Sequence, residues 1–469
     1  MKYYNLIILL VLLLNISCVP VQKDTAKPNI LLINIDDMGW RDVGFMGSEY
    51  YETPNIDALA ENGMIFTQAY AGAANCAPSR ACLMSGQWTP RHEIYTVSNS
   101  DRGKSKDRKL IPVTNNEYMP DDNLLIPEIL KQHGYTTCHA GKWHLTDDPS
   151  LRGFDVNIGG SHAGNPGSYY PPYKSVPSLT PPSDDYYLTN LVVDKTLDFL
   201  SSVQDGPFFL YYSPYAVHTP IQPVKELMEK YENKNEWNGQ NNANYASMVE
   251  NVDAQIGRII SLLKEQGKLK NTFVLFTSDN GGHYGITKQW PLRSGKGAYY
   301  EGGIREPMFA FWEGKIPKGE KSGIPVTNLD FYPTILEVAG IQKPEDKVLD
   351  GKSLLPVLTE NQTLEERPLF WHFPIYLQAY VKNDTTTQDP LFRTRPGSAV
   401  RLGDWKLIQY FENNDIELYN LKDDISEKNN LAEFKPDKAN ELLEILENWR
   451  IETNAPVPKT LNPEYQNKP

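Results

Sequence analysis

The segment Asn29-Ile30-Leu31-Leu32-Ile33-Asn34-Ile35 is a near-continuous apolar run that stops at Asp36-Asp37, and it constrains the fold more than any other feature of the chain. A strand open to water on one face alternates apolar and polar residues. An unbroken run has to be covered on both faces, as in a parallel sheet layered between helices. Three comparable runs follow, at 134–140, 207–212 and 271–277, separated by stretches with helical periodicity. Thr53-Pro54 supplies an N-cap and a first-turn proline ahead of Ile56, Leu59 and Ala60. Asp121-Asp122 predicts the start of a helix carrying Leu125, Ile129 and Leu130, and residues 185–203 and 245–266 repeat apolar residues at three-to-four spacing. Strands alternating with helices predict an α/β fold, a large mixed and mostly parallel sheet sandwiched by helices.

Beyond about residue 345 the pattern changes. Residues 398–407 and 417–421 read as short antiparallel strands and 438–449 as one closing amphipathic helix, so a smaller C-terminal α+β subdomain is expected, an antiparallel sheet plus a helix. A chain of 469 residues also favours two domains over one. We divide it into 1–18, 19–27 as a polar tether, 28–359 as the catalytic domain, and 360–469 as the C-terminal subdomain. Residues 161–184, rich in Gly, Pro, Ser and Tyr, read as a long loop.

Lys2 precedes an apolar run at 6–14. That run is far shorter than the ~20 residues a membrane-spanning helix requires, so residues 1–18 read as an export signal. Ser17-Cys18 resembles a bacterial lipobox, in which Cys18 would be lipidated and attach the protein to a membrane. Asn15 stands where that pattern has Leu, and plain secretion is the alternative. Either way the expected location is the periplasm or the cell surface. Cys18, Cys76, Cys82 and Cys138 are too few to frame a chain this long with disulfides, and buried packing is expected of Cys82 and Cys138. The net charge of −13, with no Lys/Arg cluster, argues against a nucleic-acid partner. A local basic pocket can still receive an anion, because screening confines charges to roughly 8–10 Å.

Ligands of open α/β sheets gather at the carboxyl ends of strands. Each of the four apolar runs ends in polar residues: Asp36-Asp37, Lys142 with His144, His218, and Asp279-Asn280. Singly each has an ordinary explanation as a turn, a cap or a surface loop. Together they would crowd one sheet edge. Three carboxylates and an amide oxygen suit a hard divalent cation, Ca²⁺ rather than Zn²⁺, since the eight histidines form no dense ligand cluster. In Asn75-Cys76-Ala77-Pro78-Ser79-Arg80, Pro78 suits a first helical turn, which would put Cys76 just before a helix N-terminus, where anions are favoured. These residues alone leave Cys76 either a low-pKa thiolate nucleophile or an inert buried thiol.

The same run, followed by Gly86 and Arg91, resembles the signature Cys-x-Pro-Ser-Arg of the type I sulfatases, a family of the alkaline phosphatase superfamily, and the chain looks like the bacterial polysaccharide-sulfatase type. The likeness continues through Ile35-Asp36-Asp37, Gly141-Lys142-Trp143-His144, His218-Thr219-Pro220, Ser278-Asp279-Asn280-Gly281-Gly282, Gly295-Lys296-Gly297, Glu301-Gly302-Gly303-Ile304-Arg305 and Gly403-Asp404-Trp405-Lys406. The resemblance implies that a separate maturation enzyme oxidises Cys76 to formylglycine (3-oxoalanine). It implies Ca²⁺ held by Asp36, Asp37, Asp279, Asn280 and the modified Cys76. In such enzymes one hydroxyl of the hydrated aldehyde attacks sulfur and leaves a sulfated enzyme. Arg80 and Lys142 would hold the hydrate, Lys296 and His218 would contact the sulfate, and His218 would protonate the departing alcohol. His144 would then take a proton from the remaining hydroxyl, expelling sulfate and restoring the aldehyde.

The implied substrate is a sulfated polysaccharide or its oligosaccharides. Loop position suggests His92, His162, Arg293, His372 and Arg395 as substrate contacts. Two other readings stand beside this one. One is a phosphomonoester or phosphonate ester hydrolase of the same superfamily, the other a non-catalytic sulfoglycan-binding lipoprotein in which Cys76 stays a thiol.

Overall fold

The computed structural model describes residues 27–466 apart from 177, 382 and 383. Residues 1–26, and with them the export signal, Cys18 and most of the tether, lie outside the described residues.

In β1 (Asn29–Ile35) all seven residues are buried. Alternate side chains enter different layers: Leu31, Ile33 and Ile35 join one apolar cluster, Ile30 and Leu32 another. Double-sided burial is what the unbroken run requires, and each aliphatic side chain so placed contributes roughly 1.5–3 kcal/mol. The neighbours β5 (Phe208–Ser213) and β6 (Thr272–Ser278) divide their side chains between the same two layers. On one face lie the helices Pro54–Glu61, Leu188–Ser202 and Ala243–Glu265. On the other lie Cys76–Ser85, Ile126–Gln132 and Phe331–Val338.

The remaining strands of this sheet are β2 (Met64–Tyr70), β3 (Thr136–Gly141), β4 (Val156–Ile158), β7 (Arg305–Phe311), β8 (Glu320–Ser322) and β9 (Val326–Thr327). Their order is β4-β3-β5-β1-β6-β7-β2-β8, with β9 also on β2. The block from β4 to β6 is parallel throughout, and β7 runs antiparallel to both β6 and β2. Mixed and mostly parallel is the architecture the sequence predicts, although β2 and β7 were not among the expected strands.

The helix expected from Asp121 starts later, at Ile126. The Glu128 carboxylate accepts from the Leu125 amide at 2.7 Å and sets the first turn there. Leu354, Val357 and Leu358, in and beside the helix Leu355–Glu360, still pack on the large sheet. The second sheet begins with β10 (Leu369–Phe373) and pairs antiparallel in the order β10-β13-β14-β15, with β13 (Gly397–Leu402), β14 (Trp405–Tyr410) and β15 (Asp415–Asn420). The helix Pro436–Glu452 covers it. A separate hairpin, β11 (Leu377–Gln378) with β12 (Phe392–Thr394), interrupts this sheet between β10 and β13. The two sheets share apolar contacts: Tyr70, Trp88 and Tyr300 join the C-terminal core. Among the described residues no helix is long and apolar enough to cross a membrane.

Candidate active site

Strands β3, β5, β1 and β6 are consecutive and parallel, so their carboxyl ends form one edge. Ile35 stands opposite Ser278, and Gly141 opposite Ser213. Backbone bonds then tie the loops together beyond the strands. The Asp279 amide donates to the Ile35 carbonyl (3.0 Å), the Lys142 amide to that of Ser213 (2.6 Å), and the Val217 amide to that of Asp36 (2.9 Å). Gly141 makes the approach of β3 to β5 possible: its φ is +111°, and a Cβ would lie 2.0 Å from the Ser213 carbonyl oxygen. Asp37 also adopts a left-handed conformation, φ 60°, which turns the chain sharply after Asp36.

The helix Cys76–Ser85 explains the spacing of its signature. Cys76 is the first helical residue, one position further in than the sequence suggests, and Pro78 falls where a missing N–H costs nothing. Arg80 follows one turn later on the same side as Cys76. Ser79 is held from the other side by Asn328, whose Nδ2 donates to Ser79 Oγ at 2.9 Å. All ten residues of the helix are buried.

Charge is dense at this edge. Lys142 Nζ donates to both oxygens of Asp36 (2.9 and 2.7 Å), and Lys296 Nζ reaches Asp37 Oδ1 and Oδ2 (2.6 and 2.8 Å) and Cys76 Sγ (3.0 Å). The Cys76 thiol donates weakly to Asp36 Oδ1 at 3.5 Å and Asp37 Oδ1 at 3.7 Å. Arg80 spreads its fork across three strand ends: Nε on Asp279 Oδ2 (2.8 Å), Nη1 on the Lys142 carbonyl (2.8 Å) and on Ser213 Oγ (2.6 Å). Asn280 Nδ2 donates to Asp37 Oδ1 at 2.8 Å. Burial would raise the Asp37 carboxyl, but Lys296, His218 and Lys142 outweigh it and hold the group ionised. Burial pushes the Cys76 thiol up to about 12 despite Lys142 and Lys296, which favours the protonated thiol over the low-pKa thiolate.

Two orphaned atoms show what this edge is built to receive. Asn280 Oδ1 is buried with no hydrogen-bond donor, and Arg80 Nη2 is buried with no acceptor. Asp36, Asp37, Cys76 and His218 bring ligand atoms within 4.8 Å of one another. With Asp279 and Asn280 beside them the donor set is oxygen-rich, which fits a hard cation such as Ca²⁺. Arg80 Nη2 lies 3.7 Å from Asp36 Oδ1 with no hydrogen-bond acceptor.

Above the ion pairs opens a cavity of about 510 Å³, on whose wall lie Cys76, His144, His162, His218 and Lys296. His218 Nδ1 faces the Thr219 carbonyl at 2.8 Å, which fixes the proton on that nitrogen and leaves Nε2 facing Asp37 Oδ2 at 3.5 Å. Burial, then Lys296, lowers His218 to about 4. Burial and the Lys142 charge lower His144 as well, and its Nδ1 is buried without a partner.

Of the five proposed substrate contacts, only His162 lines this cavity, stacked on Tyr118 at 4.3 Å. His92 is fully buried between Cys82 Sγ (3.5 Å) and the Ile94 amide (3.2 Å). His372 lies inside β10, bonded to Ser398 Oγ (2.8 Å) and the Pro456 carbonyl (3.1 Å). Arg293 is spent on the Thr386 and Glu427 carbonyls, and Arg395 is paired with Asp389 and Glu412. These four are structural residues, and reading them as loop contacts is corrected by their burial or pairing. Sequence reasoning missed Arg102, His283, Tyr380 and Arg393, which the cavity wall includes. His283 was within reach, since it directly follows Asp279-Asn280-Gly281-Gly282. Cys82 and Cys138 are buried free thiols, as expected.

Known proteins resemble this chain in sequence and in fold. The family model described as Sulfatase matches residues 28–341, and that of the N-sulphoglucosamine sulphohydrolase C-terminal region matches residues 295–452. A sulfatase of Formosa agariphila is 33% identical, with 97% of this chain and 95% of the relative covered. The N-acetylgalactosamine-6-sulfatase of Homo sapiens is 33% identical over 74% of this chain and 68% of its own. Among solved structures, Ps i-CgsB superposes with a TM-score of 0.74 at 31% identity, covering 90% of this chain and 92% of that one. It has also been determined in complex with k-i-k-neocarrahexaose.

Proposed function

Because the chain belongs to the sulfatase family and is a sulfuric ester hydrolase, we propose that it removes sulfate groups from a sulfated carbohydrate, a polysaccharide or its oligosaccharides, using formylglycine made from Cys76 and a calcium ion. The observation that carries the reading is the position of Cys76 Sγ, 3.0 Å from Lys296 Nζ and 3.5 Å from a carboxylate oxygen of Asp36. Asp36, Asp37, Asp279 and Asn280 would hold calcium, with residue 76 as a further ligand. When bound, the ion supplies positive charge against the sulfate oxygens. Once a maturation enzyme has oxidised Cys76, the aldehyde hydrate supplies the attacking hydroxyl and a second hydroxyl through which sulfate can leave.

This chain's own residues do the rest. Arg80 Nη2 and Lys142 orient the hydrate, and Lys296 faces the sulfate. His218 donates from Nε2 to the leaving alcohol oxygen. An incoming sulfate ester places negative charge beside that imidazole and raises its proton affinity from the low value burial imposes. His144 accepts the proton of the second hydroxyl; burial keeps its imidazole neutral, as a base requires. The relatives that act on N-acetylgalactosamine 6-sulfate, and the oligosaccharide-bound Ps i-CgsB, support a sulfated sugar as substrate. Residues 1–18 would direct export, with Cys18 as a lipid anchor, and recovery of a Cys18→Ala variant in the membrane fraction would oppose that anchor.

Two measurements test the proposal. Mass spectrometry of the Cys76 peptide from protein made in its native host is expected to show the aldehyde, and an intact thiol would favour a binding protein over an enzyme. Purified mature protein is expected to hydrolyse 4-nitrophenyl sulfate with a higher kcat/KM than 4-nitrophenyl phosphate. The reverse order would transfer it to the phosphoesterases.

A further inference from the structure

Arg393 is a buried arginine on the cavity wall that, among the described residues, makes no ion pair. It sits in β12, is only 7% exposed, and its Nε is buried with no hydrogen-bond partner. Among the described residues it has no carboxylate neighbour within ion-pair distance. Its guanidinium lies 3.6 Å from the centroid of the Tyr380 ring, a contact that offsets part of its desolvation but satisfies none of its donors. Arg395, two residues on, is by contrast paired with two carboxylates. The chain also makes room for Arg393: Gly297 has φ +91°, and a Cβ there would lie 2.3 Å from Arg393 Nε.

A second guanidinium shares the cavity. Arg102 is half-buried, donates to Ser98 Oγ at 2.7 Å, and among the described residues likewise makes no ion pair. Lys296 is already engaged by Asp37 and Cys76. Glu117 is the one carboxylate on the wall, and its bond to His162 runs through its backbone carbonyl. Burying a guanidinium without acceptors is costly unless a ligand provides them. The planar fork is suited to sulfate and carboxylate oxygens. The cavity, about 510 Å³, falls within the range of roughly 300–1,000 Å³ typical of small-molecule sites.

We propose that Arg393 and Arg102 form a second anion subsite, which holds a sulfate or carboxylate group of the saccharide whose scissile sulfate ester lies at Cys76. This inference rests on the sulfatase reading for the scissile group and adds that the substrate is at least dianionic. The hairpin that carries Arg393 thus selects for charge spacing along a sugar.

Three probes test it by calorimetric titration into the full-length, calcium-loaded Cys76→Ala protein: galactose 6-sulfate, galactose 2,6-disulfate, and N-acetylgalactosamine 6-sulfate linked to a uronate. The disulfate or the uronate sugar is expected to bind at least tenfold more tightly than the monosulfate, and whichever gains identifies the second anion. Arg393→Gln and Arg102→Gln are each expected to erase most of that gain. Arg102 is partly solvent-facing, so its variant carries the test if Arg393→Gln does not fold. Equal affinities for all three sugars, or a gain that survives both substitutions, overturn the subsite. Hydrolysis of 4-nitrophenyl sulfate by the mature wild type is measured in parallel. No turnover with the binding difference intact removes the sulfatase reading and leaves the subsite, whereas normal turnover with equal affinities does the opposite.

Discussion

Replacing Arg80 with lysine keeps the positive charge and removes the fork, which separates what charge does at this edge from what geometry does. The native guanidinium bonds Asp279 at 2.8 Å, the Lys142 carbonyl at 2.8 Å and Ser213 Oγ at 2.6 Å, and so clasps the ends of β6, β3 and β5 at once. A lysine ammonium is a single point donor on a flexible stem. If it follows the strongest attraction, to Asp279, the bonds to Lys142 and Ser213 go unmade. Hydrogen bonds from charged donors contribute about 1.5–3 kcal/mol each, so two lost bonds amount to roughly 3–6 kcal/mol. That is a large share of the ~5–15 kcal/mol by which folded proteins typically exceed their unfolded state. Equilibrium urea unfolding followed by circular dichroism measures the loss, and 4-nitrophenyl sulfate turnover should fall at least 100-fold because the Lys142 and Ser213 ends of β3 and β5 lose their tie to β6 beside the site. An Arg80→Lys protein within about 1 kcal/mol of wild type and within threefold of its turnover would show that charge alone suffices, and the clasp argument would be wrong.

Cys76→Ala should abolish turnover while leaving the far-ultraviolet spectrum and urea midpoint nearly unchanged, since a small buried side chain at the start of a helix is replaced by a smaller one. Chelation with EGTA should lower Tm and excess Ca²⁺ should restore it, because the ion would bind the folded arrangement of Asp36, Asp37, Asp279 and Asn280 and not the unfolded chain. At 100 times Kd the ion would contribute about 2.7 kcal/mol, and Asp279→Ala should blunt the response. Burial lowers His372 from 6.5 to about 3, with the Arg450 charge adding to it, so the folded state resists its protonation. A depressed pKa means the contribution is whole above pH 6.5 and is lost as pH falls toward 3, which between pH 7 and 4.5 amounts to roughly 3 kcal/mol. His372→Gln should flatten the fall of unfolding free energy over that window by about this amount, and a variant with the wild-type slope would refute the assignment.

How much of this could be read from sequence follows from which interactions are local. Strand β1 announces itself because seven residues in a row are buried and the chain must turn polar where the sheet ends. The same logic marks β3, β5 and β6, and with them Lys142, His218, Asp279 and Asn280; Lys296, in the loop beyond β6, and Arg80, on the helix Cys76–Ser85, reach Asp37, Cys76 and Asp36 from outside the strand ends. Strands β2 and β7 were not recognised: Thr67 and Gln68 break the apolar run of one and Arg305-Glu306-Pro307 opens the other. Arg393 and Tyr380 could not be found from spacing. They reach the cavity through a hairpin that pairs Leu377 with Thr394, far in sequence from Cys76, and nothing in Phe392-Arg393-Thr394 says which of Arg393 and Arg395 will find a carboxylate. His92 and His372 misled for the converse reason. A histidine beside Gly, Pro or Trp reads as a loop residue, yet both imidazoles satisfy their nitrogens inside the core.

The hairpin from β11 to β12 belongs by chain order to the C-terminal sheet, but two of its side chains, Tyr380 and Arg393, help to wall a cavity whose reactive groups all come from the first three hundred residues. Under the proposed subsite, Arg393 on this hairpin and Arg102 near Cys76 in the sequence would share the second anion, so part of the preference for a sugar would come from a stretch of chain apart from the bond-breaking groups. Changes confined to the hairpin would then alter which saccharide is held while leaving Cys76, His144, His218 and Lys296 in place.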